Sequence, residues 1–161
     1  MTINKILDVT ETLAIFFNES KGHRSIRALK HFSIDSILHV FSAREHVQNP
    51  TYLSVQIDED KHILLFPEFL QYINHSCEPN TFFDTKKGEI IAIKDINENE
   101  EVTFFYPSTE WSMTQPFECF CKASSCLGII QGAAYLDNNS ITKYRFAEHI
   151  QNKLHKRQNV K

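Results

Sequence analysis

Alternating apolar and polar residues run through the middle of the chain and predict short β-strands. The predicted strands are 52–57, 63–66, 81–84, 90–93 and 102–106. An Asp-Glu-Asp turn at 58–60 separates the first two, and Lys86-Lys87-Gly88 suits the tight turn of a hairpin between the next two. Pro107 ends the last strand, because proline has no backbone N–H to donate. The pattern therefore predicts a β-rich core.

A helical period replaces this alternation near the end of the chain. The apolar residues at helical spacing are Ile141, Tyr144, Ala147, Ile150 and Leu154. Asn138, Asn139 and Ser140 precede them and are residue types that cap helix N-termini, so a helix is predicted from Ile141 onward. Residues 1–20 mix apolar side chains without a clean period, and both helix and strand stay open there.

Size and composition are those of one globular domain: 161 residues, of which 42% are hydrophobic and 23% are charged. No run approaches the roughly 20 apolar residues of a membrane helix, so we expect no membrane partner. The net charge of −3 gives no overall positive field, and we expect no direct nucleic-acid binding.

Glycine is scarce, so each of Gly22, Gly88, Gly128 and Gly132 is predicted to mark a turn or a close backbone approach.

The C-terminal segment is basic: residues 140–161 hold six lysines and arginines against a single acid. Such a run is typical of a solvated helix face, and the alternatives are a docking surface for an acidic partner or part of a targeting signal.

The four cysteines predict a metal site. Cys119, Cys121 and Cys126 form a C-x-C-x4-C cluster, and Cys77 is the one cysteine upstream. Structural zinc takes four ligands in a tetrahedron with no open position, so the cluster lacks one thiolate, which Cys77 would supply. The metal would then connect two distant parts of the chain and stabilise the fold.

Two other interpretations of the cysteines stay open. Two disulfides would suit a secreted protein, but the chain begins without the pattern of a signal peptide. Buried free thiols are also common in proteins. A zinc site built from thiolates needs a reducing compartment, so we expect the cytoplasm, or the nucleus of a nucleated cell.

Three motifs in order resemble the SET-domain protein-lysine methyltransferases. They are YINHSCEPN at 72–80, EEVTFFY at 100–106 and the C-x-C-x4-C cluster. The resemblance is to small standalone members with a zinc-binding post-SET segment. It implies a mainly β fold with short helices, in which short curved sheets meet in a knot-like crossing, with a C-terminal helix. The implied divisions are a lead segment 1–20, a SET core 21–107, a post-SET segment 108–132 and a helical tail 133–161.

The resemblance also implies cofactors and site residues. S-adenosylmethionine and zinc are the implied cofactors, with Asn74 and His75 contacting the adenosyl part and Tyr106 at the methyl-transfer centre beside the cofactor. Lys21 and Gly22 match the opening cofactor motif, but Arg24 stands where the family has a second glycine. The Arg24 side chain would therefore lie where glycine backbone normally approaches the cofactor. We expect its guanidinium to pair with the cofactor's carboxylate.

An aromatic channel is expected for the substrate lysine, because an apolar channel favours the neutral amine over the ammonium ion. Phe104, Phe105, Tyr72 and Tyr52 are its candidates by motif, and Phe104 is the strongest of them. Phe104 occupies a position where the family alternates between phenylalanine and tyrosine. Phenylalanine leaves more room around the amine, which predicts capacity for di- or trimethylation.

The implied function is S-adenosylmethionine-dependent methylation of a lysine in a protein or peptide, with a histone tail as one possibility. The insert 41–69 is short, so the peptide is expected to lie extended beside a strand edge. Two alternatives remain: a catalytically inactive module that binds a lysine-bearing peptide, and a methyltransferase for small amines. Oligomeric state is not predicted.

Overall fold

The computed structural model describes residues 2–159, so Met1 and residues 160–161 of the predicted lead segment and tail lie outside it. The described chain forms thirteen short strands, two α-helices and three 3-10 turns. The strands are β1 Ile3–Asp8, β2 Leu13–Asn18, β3 His23–Ala28, β4 Ile37–Val40, β5 Ser42–Val47, β6 Val55–Gln56, β7 His62–Phe66, β8 Asn74–His75, β9 Thr81–Asp84, β10 Glu89–Ala92, β11 Thr103–Phe104, β12 Phe117–Glu118 and β13 Ile129–Ile130. The helices are α1 Asn138–Ile141 and α2 Glu148–Asn159.

Four small sheets hold these strands, with the orders β1-β2-β3, β4-β10-β9-β11-β8, β5-β7-β6 and β12-β13. The predicted fold class, mainly β with short helices, is confirmed. Neither described helix is long and apolar enough to cross a membrane.

Residues 2–20 contain two strands, β1 and β2, which pair antiparallel, and β2 also pairs antiparallel with β3. The sequence of these strands shows no regular apolar-polar alternation, for two reasons. Every residue of β1 is exposed, and its register shifts between Lys5 and Leu7, which breaks the alternation of faces. In β2 three successive residues, Leu13, Ala14 and Ile15, are buried. A strand buried on both faces gives no alternating pattern.

The predicted hairpin is present as β9 and β10, paired from Asp84 opposite Glu89 to Thr81 opposite Ala92. Gly88 closes its turn with φ of +70°, and its carbonyl accepts the N–H of Phe41 at 2.7 Å. A Cβ on Gly88 would lie 2.5 Å from the Phe41 carbonyl oxygen. This glycine is required by both the turn and the close approach.

Gly88→Ala is therefore expected to lower the free energy of unfolding by more than a left-handed backbone alone would cost, about 2 kcal/mol or more. Gly22→Ala is the matched control, because Gly22 has φ of +67° and nothing within 4 Å of its added Cβ. The control should lose only the backbone part, about 1 kcal/mol. Urea unfolding of both variants measures the difference, and equal losses would contradict the steric argument.

The strand predicted at 52–57 is wrong in its first half, because only Val55–Gln56 pairs with β7. Thr51 and Ser54 form a turn: the Ser54 N–H donates to the Thr51 carbonyl at 3.2 Å and the Ser54 hydroxyl to the same oxygen at 2.9 Å. Such local bonds compete with strand pairing. Tyr52 lies in this turn with 70% of its surface exposed.

Strand β11 lies between β8 and β9 and runs parallel to both. Residues 76–80 join those two neighbours, so the chain passes around β11 in the predicted knot-like crossing. The Ser76 N–H donates to the Phe104 carbonyl at 3.1 Å, and the Thr103 N–H donates to Asn80 Oδ1 at 2.8 Å. The NHSC and EEVTFFY motifs therefore hold each other in register.

The helix predicted from Ile141 starts late: α1 ends at Ile141 and α2 begins at Glu148. Between them the Tyr144 ring stacks on Phe105 at 3.7 Å, and its hydroxyl donates to the Cys77 carbonyl at 2.9 Å. These tertiary contacts outweigh helical propensity. Arg157 then fixes α2 by donating to the carbonyls of Ala134 and Leu136 at 2.8 and 3.1 Å.

Candidate active site and metal centre

A cleft of about 790 Å³ opens between β3, the 51–55 turn, the residues before β8 and the segment 113–117. Its volume is in the range of sites that hold cofactor-sized molecules. The predicted site residues that line it are Gly22, Arg24, Tyr52, Tyr72, Asn74, Phe104 and Tyr106. Lys21, His75 and Phe105 are not among its lining residues, and Phe105 stacks on Tyr144 instead.

Tyr106 lies in the cleft at the point where β11 gives way to a 3-10 turn. Its hydroxyl donates to the Ile73 carbonyl at 3.2 Å, and its backbone N–H donates to His75 Nδ1, also at 3.2 Å. Burial raises the pKa of the Tyr106 phenol. The side chain is therefore a neutral hydroxyl that is fixed in direction and available as a hydrogen-bond partner.

Phe104 lies beside Tyr106, with ring centroids 4.7 Å apart, and stacks on Phe83 at 4.2 Å. Tyr72 lies beneath Arg24, whose guanidinium carbon is 5.3 Å from the centre of the Tyr72 ring. Tyr52 lies at the exposed mouth. The cleft thus has an aromatic interior, and Arg24 contributes a cation to it.

Asn74 ties the cleft wall to β3. Its Nδ2 donates to the Arg24 carbonyl at 2.9 Å and to Glu101 Oε1 at 3.0 Å. Gly22 closes the preceding turn with φ of +67°, and its N–H donates to the Asn18 carbonyl at 2.8 Å. This edge of the cleft therefore combines backbone, an amide side chain and a guanidinium.

His75 connects the cleft to the cysteine cluster. Its Nδ1 accepts the Tyr106 N–H, so the proton of the neutral ring resides on Nε2, which lies 3.3 Å from Cys77 Sγ and donates to it. Burial lowers the pKa of His75 to about 4. The ring packs edge-on against Phe117. Its predicted cofactor contact stays a prediction.

The four cysteines meet as predicted: the sulfurs of Cys77, Cys119, Cys121 and Cys126 all lie within 4.8 Å of one another, and all four are free thiols. A tetrahedral zinc ion with Zn–S bonds of about 2.3 Å holds its sulfurs about 3.8 Å apart. The Cys77 and Cys119 sulfurs are 4.0 Å apart. The cluster has the donors, spacing and burial of a structural zinc site.

The thiols of this cluster differ in their pKa values. Burial raises the pKa of Cys77 even though the Leu127 N–H donates to its Sγ at 3.4 Å. For Cys121, burial is outweighed by hydrogen bonds from the backbone N–H groups of Cys77 and Ala123, and its pKa is lowered to about 7. Burial raises the pKa of Cys119 to about 11, which a bound cation would reverse.

Glu110 is a residue of the cleft wall that sequence reasoning missed. It lies outside the three motifs, in a polar connection where an acidic residue gives no signal. Glu110 Oε1 accepts the Gln56 N–H at 2.7 Å, and Gln56 Oε1 accepts the Trp111 N–H at 2.9 Å. Glu110 and Gln56 therefore join β6 to the segment that follows Tyr106.

The family follows from comparison with known proteins. The SET domain model matches residues 6–107, which is more than half of the chain. The chain therefore belongs to the SET-domain family, and the resemblance of its motifs is confirmed. The match begins inside the predicted lead segment 1–20, whose separation from the core stays a prediction.

Curated relatives of this chain are methyltransferases. Methyltransferase flvH of Aspergillus flavus is 34% identical over 146 residues, which cover 89% of this chain and 82% of that protein. The histone-lysine N-methyltransferase of Saccharomyces cerevisiae that is specific for H3 lysine 36 is 25% identical over 159 residues. Those residues cover 84% of this chain but 21% of the yeast protein.

Solved structures share the fold at low identity. KRYPTONITE, in a complex with mCHH DNA, an H3(1–15) peptide and SAH, aligns with a TM-score of 0.55 and 22% identity over 73% of this chain and 29% of its own. The methyltransferase domain of human SETMAR aligns with a TM-score of 0.55 and 17% identity over 74% of this chain and 58% of its own. Both support the SET fold.

Proposed function

We propose that this SET-domain protein is an S-adenosylmethionine-dependent protein-lysine N-methyltransferase with a structural zinc ion. The observation that carries the proposal is the Tyr106 hydroxyl, fixed by Ile73 in a cleft that also holds Phe104 and opens toward Gly22 and Arg24. The relatives named histone-lysine N-methyltransferases support lysine in a protein as the acceptor. A histone tail is one candidate among such proteins.

Methyl transfer to an amine is an in-line displacement, so the enzyme's main task is to align the two reactants. Gly22, Arg24 and Asn74 would hold the cofactor at one end of the cleft, with Lys21 and His75 as further predicted contacts. S-adenosylmethionine supplies the methyl group as an electrophile on sulfur. The Arg24 guanidinium suits a carboxylate, because paired N–H groups match its two oxygens.

The acceptor amine would be held at the other end by the neutral Tyr106 hydroxyl. Phe104, beside Tyr106, would exclude water from this end. Tyr52 lies at the mouth, and Tyr72, beneath Arg24, would extend the aromatic lining toward the cofactor. A dry aromatic channel favours the uncharged, nucleophilic amine and tolerates a methylated ammonium product on its ring faces. Because the Tyr106 O–H donates to the Ile73 carbonyl, its phenol oxygen would accept a hydrogen bond from an amine N–H and leave the amine lone pair free for the methyl group.

Zinc is proposed as a structural ion on Cys77, Cys119, Cys121 and Cys126, where it closes the post-SET segment against the NHSC motif. Four protein thiolates leave no open position, so the ion takes no part in the methyl transfer. A reducing compartment, the cytoplasm or a nucleus, follows from this proposal.

The function is tested by incubating the full chain with methyl-labelled S-adenosylmethionine and with histones, total cell protein or free amines. Label on lysines of protein supports the proposal. Label only on a small amine would favour the small-amine alternative. Binding of lysine peptides with no label in any acceptor would favour the inactive module.

Product state depends on the room around Phe104. We propose that the wild-type chain adds two or three methyl groups, because Phe104 has no hydroxyl to occupy the space beside Tyr106. Phe104→Tyr is expected to stop at one methyl while keeping the rate of the first transfer. Mass spectra of a methylated peptide measure this. A wild-type product with a single methyl, or a variant that still trimethylates, would contradict it.

A further inference from the structure

The charged residues of the cleft are divided between its two ends. Arg24, Glu68 and Glu110 are the lysine, arginine and acidic side chains among its lining residues. Arg24 lies on β3 near Asn74, whereas Glu110 follows Tyr106 by one turn, with its N–H donating to the Tyr106 carbonyl at 3.1 Å. The end proposed for the cofactor is positive, and the wall beyond Tyr106 is negative.

The two acids differ in their partners, because only Glu68 is paired with a lysine or arginine. Glu68 is exposed and ion-paired with Arg44. Within residues 2–159, no lysine or arginine nitrogen lies within 4.0 Å of the Glu110 carboxylate, and its one ionisable neighbour at that distance is His62, with Nε2 at 3.7 Å from Oε2.

Glu110 is held rigidly and remains accessible. The Gln56 N–H fixes Oε1, and 13% of the side-chain surface is exposed, on a wall of the cleft. Thr114 extends this wall toward the mouth, where its hydroxyl donates to the Pro50 carbonyl at 3.3 Å. A partly desolvated carboxylate without a cation is costly, so a positive charge that enters the cleft is attracted to it.

We infer that Glu110 determines substrate specificity by binding a positive charge that flanks the target lysine, so that the substrates are basic peptide segments with a neighbouring arginine or lysine. This inference depends on the proposed function. The aromatic interior beside Tyr106 takes the reacting side chain. A second cation has Glu110 as its partner, because Glu68 is already neutralised by Arg44.

Steady-state kinetics on a peptide series tests the inference. One lysine peptide is made with arginine, glutamine or glutamate at each neighbouring position in turn, and all peptides are assayed at the same pH and ionic strength. At the recognised position, arginine should lower KM about tenfold relative to glutamine, equivalent to about 1.4 kcal/mol, with kcat unchanged. Added salt should weaken this preference.

Glu110→Gln is the informative variant, because the amide oxygen still accepts the Gln56 N–H while the charge is lost. It should abolish the arginine preference by raising the KM for the arginine peptide to that for the glutamine peptide. Glu45→Gln, which removes an exposed carboxylate on β5 outside the cleft, should leave the preference intact. If Glu110→Gln fails to fold, the salt dependence of the wild-type preference decides.

The outcomes separate the two proposals. Methylation of lysine peptides without any arginine preference, or with a preference that survives Glu110→Gln or high salt, would overturn the role of Glu110 and leave the proposed function standing. Absence of transfer to every lysine peptide and protein would overturn the proposed function and the specificity argument with it.

Discussion

Cys77→Ser is expected to release the metal and unfold the segment 108–132 while the main β core stays folded. Apart from two cysteines, Ile130 is the one buried residue in the apolar cluster of this region, so little apolar burial remains without the ion. Structural zinc contributes on the order of 10 kcal/mol in small domains, more than such a cluster can replace. A fall in Tm of about 10 °C or more is expected.

Elemental analysis should find one zinc per wild-type chain and none in Cys77→Ser. Hydrogen exchange should locate the unfolding in the post-SET segment. Ser124→Ala is the matched control: Ser124 donates to Glu78 at 3.0 Å near the cluster but offers the metal no sulfur. A wild-type chain that keeps its Tm and exchange pattern after a chelator has removed all metal would refute the structural role of zinc.

Tyr106→Phe is expected to lower kcat by about a hundredfold or more while the KM for S-adenosylmethionine changes little. Removal of one preorganised polar group at a reacting centre costs rates of this size. The substitution keeps the ring, whose centroid lies 4.7 Å from that of Phe104, and removes only the hydroxyl that would orient the amine. Single-turnover transfer to a lysine peptide measures the loss.

Tyr144→Phe controls for the structural part of this change, because the Tyr144 hydroxyl also donates to a backbone carbonyl, that of Cys77, and does not line the cleft. Each variant leaves a carbonyl without that donor, which costs about 1–3 kcal/mol of stability when the group is buried. Only Tyr106→Phe should lose activity. Equal transfer rates in both variants would remove Tyr106 from its proposed role.

The sequence alone predicts those parts of the site that depend on short motifs or on the number and kind of ligands that a metal ion requires. Cys77 and Cys119, 42 residues apart, were assigned to one cluster because tetrahedral zinc needs four ligands, and their sulfurs meet at 4.0 Å. Tyr106 and Asn74 were assigned by the resemblance and line one cleft. The β9–β10 hairpin followed from alternation and a glycine turn.

The remaining features depend on tertiary contacts that local patterns do not encode. Tyr144 fits a helical period but stacks on Phe105, so the helix begins later. Glu110 has no motif, and its place in the cleft depends on the Gln56 backbone. The resemblance assigns His75 a cofactor contact. Its side chain bonds to Cys77 Sγ and to the Tyr106 N–H, contacts that the sequence does not encode locally.

The passage of β11 between β8 and β9 restricts how this protein can move. Ser76 and Asn80, at the two ends of the connection between β8 and β9, both bond to the backbone of β11. We therefore expect Tyr106 and the NHSC motif to move as one unit. Any adjustment of the cleft to a ligand is then expected in its outer walls, the 51–55 turn and the segment 113–117.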